Sequence, residues 1–320
     1  MTRLTLPGDG LPYALLEADN ETSLLDLATD TIETLFRQHG ALLFRGFPPD
    51  LAAFRQFTAR FCTGSVFNES PDRQLLDDAH NIQSVNGGAD PFPLHPELSR
   101  EPWKPDVCFF HCLKAPRSGG ETTICDGVAL VDALPDEVRR ELSAHRLLYL
   151  QPIQPWHFRY WLGTDNPSDA EIANPPGSCP YRFGMAGGYL VRAFTRPALH
   201  RPMFTDRPAF GNFLLFARDY NGRRDFPLLD DGREVPDAWV EAVRAAALEI
   251  TVPMAWQPGD LLMLDNSRFM HGREAIADPS DRLIASFFGY LRFAPVNPEE
   301  PVGAPWRRSS TFRPPQSPRL

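Results

Sequence analysis

Thirty-three prolines are spread along 320 residues, and they set the length of everything between them. Proline ends helices and cannot donate inside a central strand, so elements here must be short and connections irregular. That argues against an all-helical fold. The apolar runs agree. ALLFRGF from Ala41, DVCFFHCL from Asp106, TTICD from Thr122, LLMLDN from Leu261 and RLIASFFGYLRF from Arg282 each read as one buried strand bounded by turn residues.

Helical spacing is confined to a few segments. Residues 20–39 repeat apolar side chains at Leu24, Leu27, Ile32 and Leu35; Asn20, Thr22 or Ser23 can cap the start and Gly40 stops the run. A second helix follows Asp50, with Leu51, Phe54, Phe57 and Phe61 on one face. LPDEVRREL, opened by Pro135, and PDAWVEAVRAAALE from Pro236 are two more. Short strands with flanking helices predict a mainly β fold, an antiparallel jelly-roll barrel decorated by helices. We expect one domain over residues 1–294. Within it, 150–235 reads as an irregular insertion covering the barrel mouth. Residues 295–320 read as an extended, Pro-rich C-terminal tail.

The formal net charge of −9 disfavours nucleic acid and anionic membranes as partners. Cys62, Cys108, Cys112, Cys125 and Cys179 form no CxxC pair and complete no zinc-site spacing. They read as reduced thiols of a cytoplasmic protein. MTRLTLPGDGLPYALL has no basic start followed by a long apolar run, and no stretch is long enough to span a membrane.

Chemistry concentrates at LHPELS. His95 and Glu97 are two apart, so on a strand both would point to one face. His271 lies far downstream, just beyond the LLMLDN strand. Two imidazoles and a carboxylate can occupy one face of an octahedral metal, as in non-haem Fe(II) oxygenases. Each residue alone reads equally as a surface or packing residue. His80, His111, His145, His157 and His200 have no better claim. Arg282 opens the last strand, and its fork can bind a carboxylate; an ordinary ion pair is the alternative. Thr122 follows Gly119 and Gly120, which permit a tight turn, and can add a hydroxyl to the same carboxylate or be a plain strand threonine. Asp265 and Asn266 could orient His271 or simply end a strand. Arg159, Arg182, Arg192 and Arg196 crowd the middle with Trp156, His157 and Tyr181, where an arginine could meet an anionic substrate group or stay solvated.

Taken together, His95-x-Glu97, GGETT, His271 and Arg282 resemble the Fe(II)/2-oxoglutarate-dependent dioxygenases of the taurine dioxygenase family, closest to the clavaminate synthase-like branch. LFRGF, CFFHCLKAPRSGGETTICDG, LPDEVRREL and WQPGDLLMLDN carry the likeness from about residue 40 to 292. The resemblance implies a double-stranded β-helix of the cupin type. It implies that His95, Glu97 and His271 bind Fe(II), and that Thr122 and Arg282 hold the far carboxylate of 2-oxoglutarate. Dioxygen is the second co-substrate. Glu97 stands where most of the broader family has Asp. Related halogenases lack this carboxylate, so its presence argues against halogenation. Hydroxylation of an amino acid or amino-acid-derived natural-product intermediate, free or tethered to a carrier protein, is the expectation that follows. Desaturation or ring formation would use the same residues. A non-catalytic metal-binding cupin would need no 2-oxoglutarate anchor, and a zinc hydrolase would need a further general base that no HExxH motif supplies.

Overall fold

A computed structural model describes residues 2–8, 10–18 and 22–315. Its centre is a pair of sheets. The larger runs in the order Arg3–Thr5, Ala14–Glu17, Ala41–Arg45, Leu261–Asp265, Val107–Lys114, Leu283–Leu291, Cys62–Val66, Thr311–Phe312. The smaller runs Val252–Met254, Thr122–Asp126, Phe269–Arg273, Phe92–His95, all antiparallel.

The two-residue period of the strands explains how they pack. Leu43, Phe110, Leu262, Ile284 and Phe288 turn inward and meet Ile124, Met254 and Phe269 of the smaller sheet. Their neighbours Leu42, Phe109, Leu261, Met263 and Phe287 turn outward. There they meet helices Thr29–His39 and Leu51–Phe61 through Ile32, Phe36, Phe54 and Phe57. Strands buried on both faces must read as unbroken apolar runs, which is how they appear in the sequence. The mainly β jelly-roll core with flanking helices stands as expected.

Helix Leu51–Phe61 starts where its apolar spacing does, with Asp50 accepting from the amides of Ala52 and Ala53 at 2.8 and 3.1 Å. The expected helix over 20–39 is shorter. Ser23 caps a 3-10 turn, Leu24–Asp26, and Leu27 and Ala28 are extended, so the α-helix begins at Thr29. Gly40, at φ 72°, ends it as expected. Asn20 lies outside the described residues. All five cysteines are unpaired. Among the described residues no helix is long and apolar enough to cross a membrane.

Two stretches are more ordered than expected. Arg146–Pro152 pairs along its whole length with Tyr189–Pro197, and with Arg182–Ala186 and Leu228–Leu229 they make a third sheet. The arginines that suggested loop are packed: Arg192 lies 4.8 Å from the Tyr181 ring centroid and Arg196 5.6 Å from that of Phe194. At the C-terminus, Thr311–Phe312 adds a parallel strand to Cys62–Val66 and Trp306 is fully buried. Arg307 forks onto Asp106 at 2.5 and 2.8 Å. Residues 316–320, with Pro318, lie outside the described residues.

Candidate active site

His95 ends the outermost strand of the smaller sheet, directly opposite His271 on the next strand, with ring centroids 4.8 Å apart. Glu97 does not continue that strand. It sits in the turn beyond it, where Leu98 adopts a left-handed φ of 50°. The turn brings the carboxylate back, and ligand atoms of His95, Glu97 and His271 all lie within 4.8 Å of one another. The His271 Nε2 to Glu97 Oε2 distance is 3.8 Å.

The turn is held by Asn266. Its Oδ1 accepts from the Glu97 amide at 2.8 Å, and its Nδ2 donates to the carbonyls of Glu97 and Pro105 at 3.0 and 2.9 Å. Of the two readings open for Asn266, the strand-ending turn stands, and in it the side chain positions Glu97 and not His271. Asp265 instead accepts from the Ser267 amide and hydroxyl. Both carboxylate oxygens of Glu97 have donors: Asn68 Nδ2 at 2.5 Å and Arg73 Nη2 at 3.3 Å. Asn68 and Arg73 were not found from sequence, because they reach the site from a loop with no periodic or motif signal.

The imidazoles are prepared as ligands. His95 Nδ1 lies 2.8 Å from the Pro93 carbonyl, which fixes its proton there and leaves Nε2 free. Burial lowers the pKa of His95, and that of His271 further, so both are neutral at physiological pH. Phe216 packs edge-on to His95 at 4.7 Å and Phe110 to His271 at 4.9 Å.

Thr122 and Arg282 line the same cavity, of about 340 Å³. The Thr122 hydroxyl accepts from Trp256 Nε1 at 3.0 Å, so its own hydrogen remains to donate. The Arg282 side chain makes no hydrogen bond among the described residues, and its Nε is buried. Burial, and then Arg273, bring its pKa down to about 10, so it stays charged at neutral pH. A half-buried cation without an acceptor among the described residues suits an anionic ligand. Gly119 and Gly120, at φ 74° and 72°, make the tight turn; a Cβ on Gly120 would stand 3.3 Å from Arg282 Cδ. Arg159, Arg182, Arg192, Arg196, Trp156, His157 and Tyr181 do not line the cavity. Arg192 donates to the Tyr181 hydroxyl at 3.1 Å and Arg196 to the Glu101 and Pro102 carbonyls. The middle segment contributes Phe213, Phe216, Tyr220 and Asn221 instead.

Comparison with known proteins places the chain. The model of the taurine catabolism dioxygenase TauD, TfdA family aligns with residues 10–286. The chain belongs to that family. It is thus an Fe(II)/2-oxoglutarate-dependent dioxygenase, using dioxygen as co-substrate. A clavaminate synthase-like protein of Arabidopsis thaliana is 25% identical, over 88% of this chain and 91% of that protein. Pentalenolactone F synthase of Streptomyces avermitilis is 24% identical, over 93% and 97%. Among solved structures, PvcB, an Fe, α-ketoglutarate-dependent oxygenase from an isonitrile synthetic pathway, superposes with a TM-score of 0.61. That superposition covers 93% of this chain and 94% of the other at 17% identity, a likeness that speaks for the fold.

Proposed function

We propose that His95, Glu97 and His271 hold the iron and that Thr122 and Arg282 hold the far carboxylate of 2-oxoglutarate. The observation that carries this reading is the pairing, in one cavity, of a cluster of two neutral histidines and one carboxylate with a half-buried arginine that lacks an acceptor among the described residues. The donor types suit ferrous iron and leave positions for co-substrates. When bound, iron with 2-oxoglutarate and dioxygen supplies the oxidising power that removes a hydrogen from the substrate and returns a hydroxyl, releasing succinate and carbon dioxide. The chain does the rest: Asn266 and Asn68 aim Glu97, Arg282 and Thr122 orient the co-substrate, and the phenylalanines exclude water.

The reading extends to substrate and organisation. The substrate is an amino acid or an amino-acid-derived natural-product intermediate, free or carrier-tethered. Support comes from the biosynthetic relatives named above and from a cavity of small-molecule size. Residues up to 294, with the strand Thr311–Phe312 and Trp306 packed onto them, form one catalytic unit, and 150–235 serves as the cover, since its Phe213, Phe216, Tyr220 and Asn221 reach the cavity. The protein works in the cytoplasm, in keeping with five unpaired thiols.

The test is an anaerobic titration of the protein with Fe(II) and 2-oxoglutarate, followed by visible absorption. A metal-to-ligand charge-transfer band that needs both additions is expected, absent in Glu97→Ala. In Arg282→Ala it should require about tenfold to hundredfold more 2-oxoglutarate, the loss of a charge-assisted carboxylate contact. A folded wild type that binds the metal and gives no band would end this reading.

A further inference from the structure

The cavity carries more positive charge than its cofactors use. Three guanidinium groups reach it, Arg73 and Arg273 from largely buried positions and Arg282 from a half-buried one, against one buried carboxylate, Glu97. Glu69 and Asp72 lie exposed at the rim. Ferrous iron and the 2-oxoglutarate dianion cancel each other, so the loaded cavity keeps a positive excess. An anion must enter with the substrate to offset it.

The three arginines are not equivalent. Arg282 serves 2-oxoglutarate. Arg273, like Arg73, has a buried Nε without a partner, but both of its Nη groups are tied to backbone carbonyls, Asn86 at 2.8 Å and Asp90 at 2.5 Å, and its guanidinium lies 4.6 Å from the Phe92 ring centroid. Arg73 has capacity left. It has one long contact to Glu97 Oε2 at 3.3 Å and one to Ser286 Oγ at 3.2 Å, and its buried Nε has no partner. Its side chain is 6% exposed and packs over Phe288, 5.1 Å from the ring centroid, which fixes where the fork points. Metal binding would draw Glu97 charge away from Arg73 and leave the fork more in need of an acceptor.

Beside it runs an aromatic wall. Phe92 and Tyr220 stack at 5.0 Å, Tyr220 meets Phe216 at 4.8 Å, Phe216 meets Phe213 at 5.1 Å, and Phe216 abuts His95. A molecule lying on this wall passes the metal ligands. Building on the function proposed above, we propose that Arg73 anchors a carboxylate of the substrate while the aromatic wall takes its apolar body. An amino acid and a simple carboxylic acid share that recognition chemistry.

The enzyme loaded anaerobically with Fe(II) and 2-oxoglutarate tests this with four probes. These are 3-phenylpropanoate and L-phenylalanine, which carry the carboxylate, and 3-phenylpropanamide and 2-phenylethylamine, which lack it. A probe that settles beside the metal shifts the charge-transfer band. Both acids are expected to shift it at millimolar concentration, and the amide and amine are not. Arg73→Met should weaken the acids about tenfold to hundredfold, and Arg73→Lys should recover part of the loss. Ser286→Ala, which removes the hydroxyl that steadies the fork, should weaken them several-fold and decides the matter if Arg73→Met fails to take up metal. The proposal is overturned if the amide or amine binds as well as the acids. It is equally overturned if neither acid binds, or if the variants bind the acids as the wild type does. Absence of the band itself would instead condemn the cofactor assignment, so the two failures are separable.

Discussion

At the residue scale, the site depends on side chains that never reach the metal. The amide of Asn266 makes three hydrogen bonds at 1% exposure, two of them to the backbone of Glu97. Asn266→Ala would strand three buried backbone groups, at ~1–3 kcal/mol each where water cannot enter. We expect a loss of about 2 kcal/mol or more by chemical denaturation, together with weaker metal uptake as the Leu98 turn relaxes. Thr122→Val keeps the shape of the side chain and removes the hydroxyl. It should raise the dissociation constant for 2-oxoglutarate about fivefold, near 1 kcal/mol, with metal affinity unchanged. A band titration measures both constants in one experiment.

At the scale of elements, the same turn that supplies Thr122 makes room for Arg282. An alanine at position 120 would be strained at φ 72° and would press on Ile276 Cγ1 at 3.0 Å and Arg282 Cδ at 3.3 Å. Gly120→Ala is therefore expected to weaken 2-oxoglutarate more than metal; equal loss of both would instead indicate collapse of the turn. This turn was legible in the sequence because two adjacent glycines announce it. So were the central strands, since burial on both faces leaves an unbroken apolar run in Val107–Lys114 and Leu283–Leu291. His95, Glu97 and His271 stood out only as a joint pattern. What stayed hidden depends on long-range contact. Nothing near Arg73 in the chain signals that it meets Glu97. The third sheet escaped notice because its arginines bury their stems against rings while looking like surface residues. The part Asn266 plays at Glu97 is not readable either, since the strand end that carries it does not reveal which turn it faces.

At the scale of the whole molecule, the C-terminal segment closes the barrel side. Trp306 packs with Trp103, Tyr290 and Phe312 at zero exposure. Trp306→Ala should cost about 3–5 kcal/mol, read as a large fall in the denaturation midpoint. Burial, reinforced by Arg196, lowers the pKa of Lys104 from 10.5 to about 7, and its ammonium donates to the Gly211 carbonyl at 3.1 Å. A folded pKa below the unfolded one contributes stability above pH 10.5 that is lost as pH falls through 7. Lys104→Met should then be the more stable protein near pH 6, with the advantage shrinking toward pH 10, on the order of 1–2 kcal/mol across that window because the lysine keeps some solvent contact. Melting temperatures at the two ends measure it. A different consequence follows from the position of Phe92–His95 at the rim of its sheet. On its open side sits the helix Leu214–Asp219, joined to it by ring packing and not by a backbone ladder. Side chains there can change without shifting the register that pairs His95 with His271. Positions 213, 216 and 220 are accordingly where a library of variants could redirect the enzyme to new molecules while every member keeps its iron.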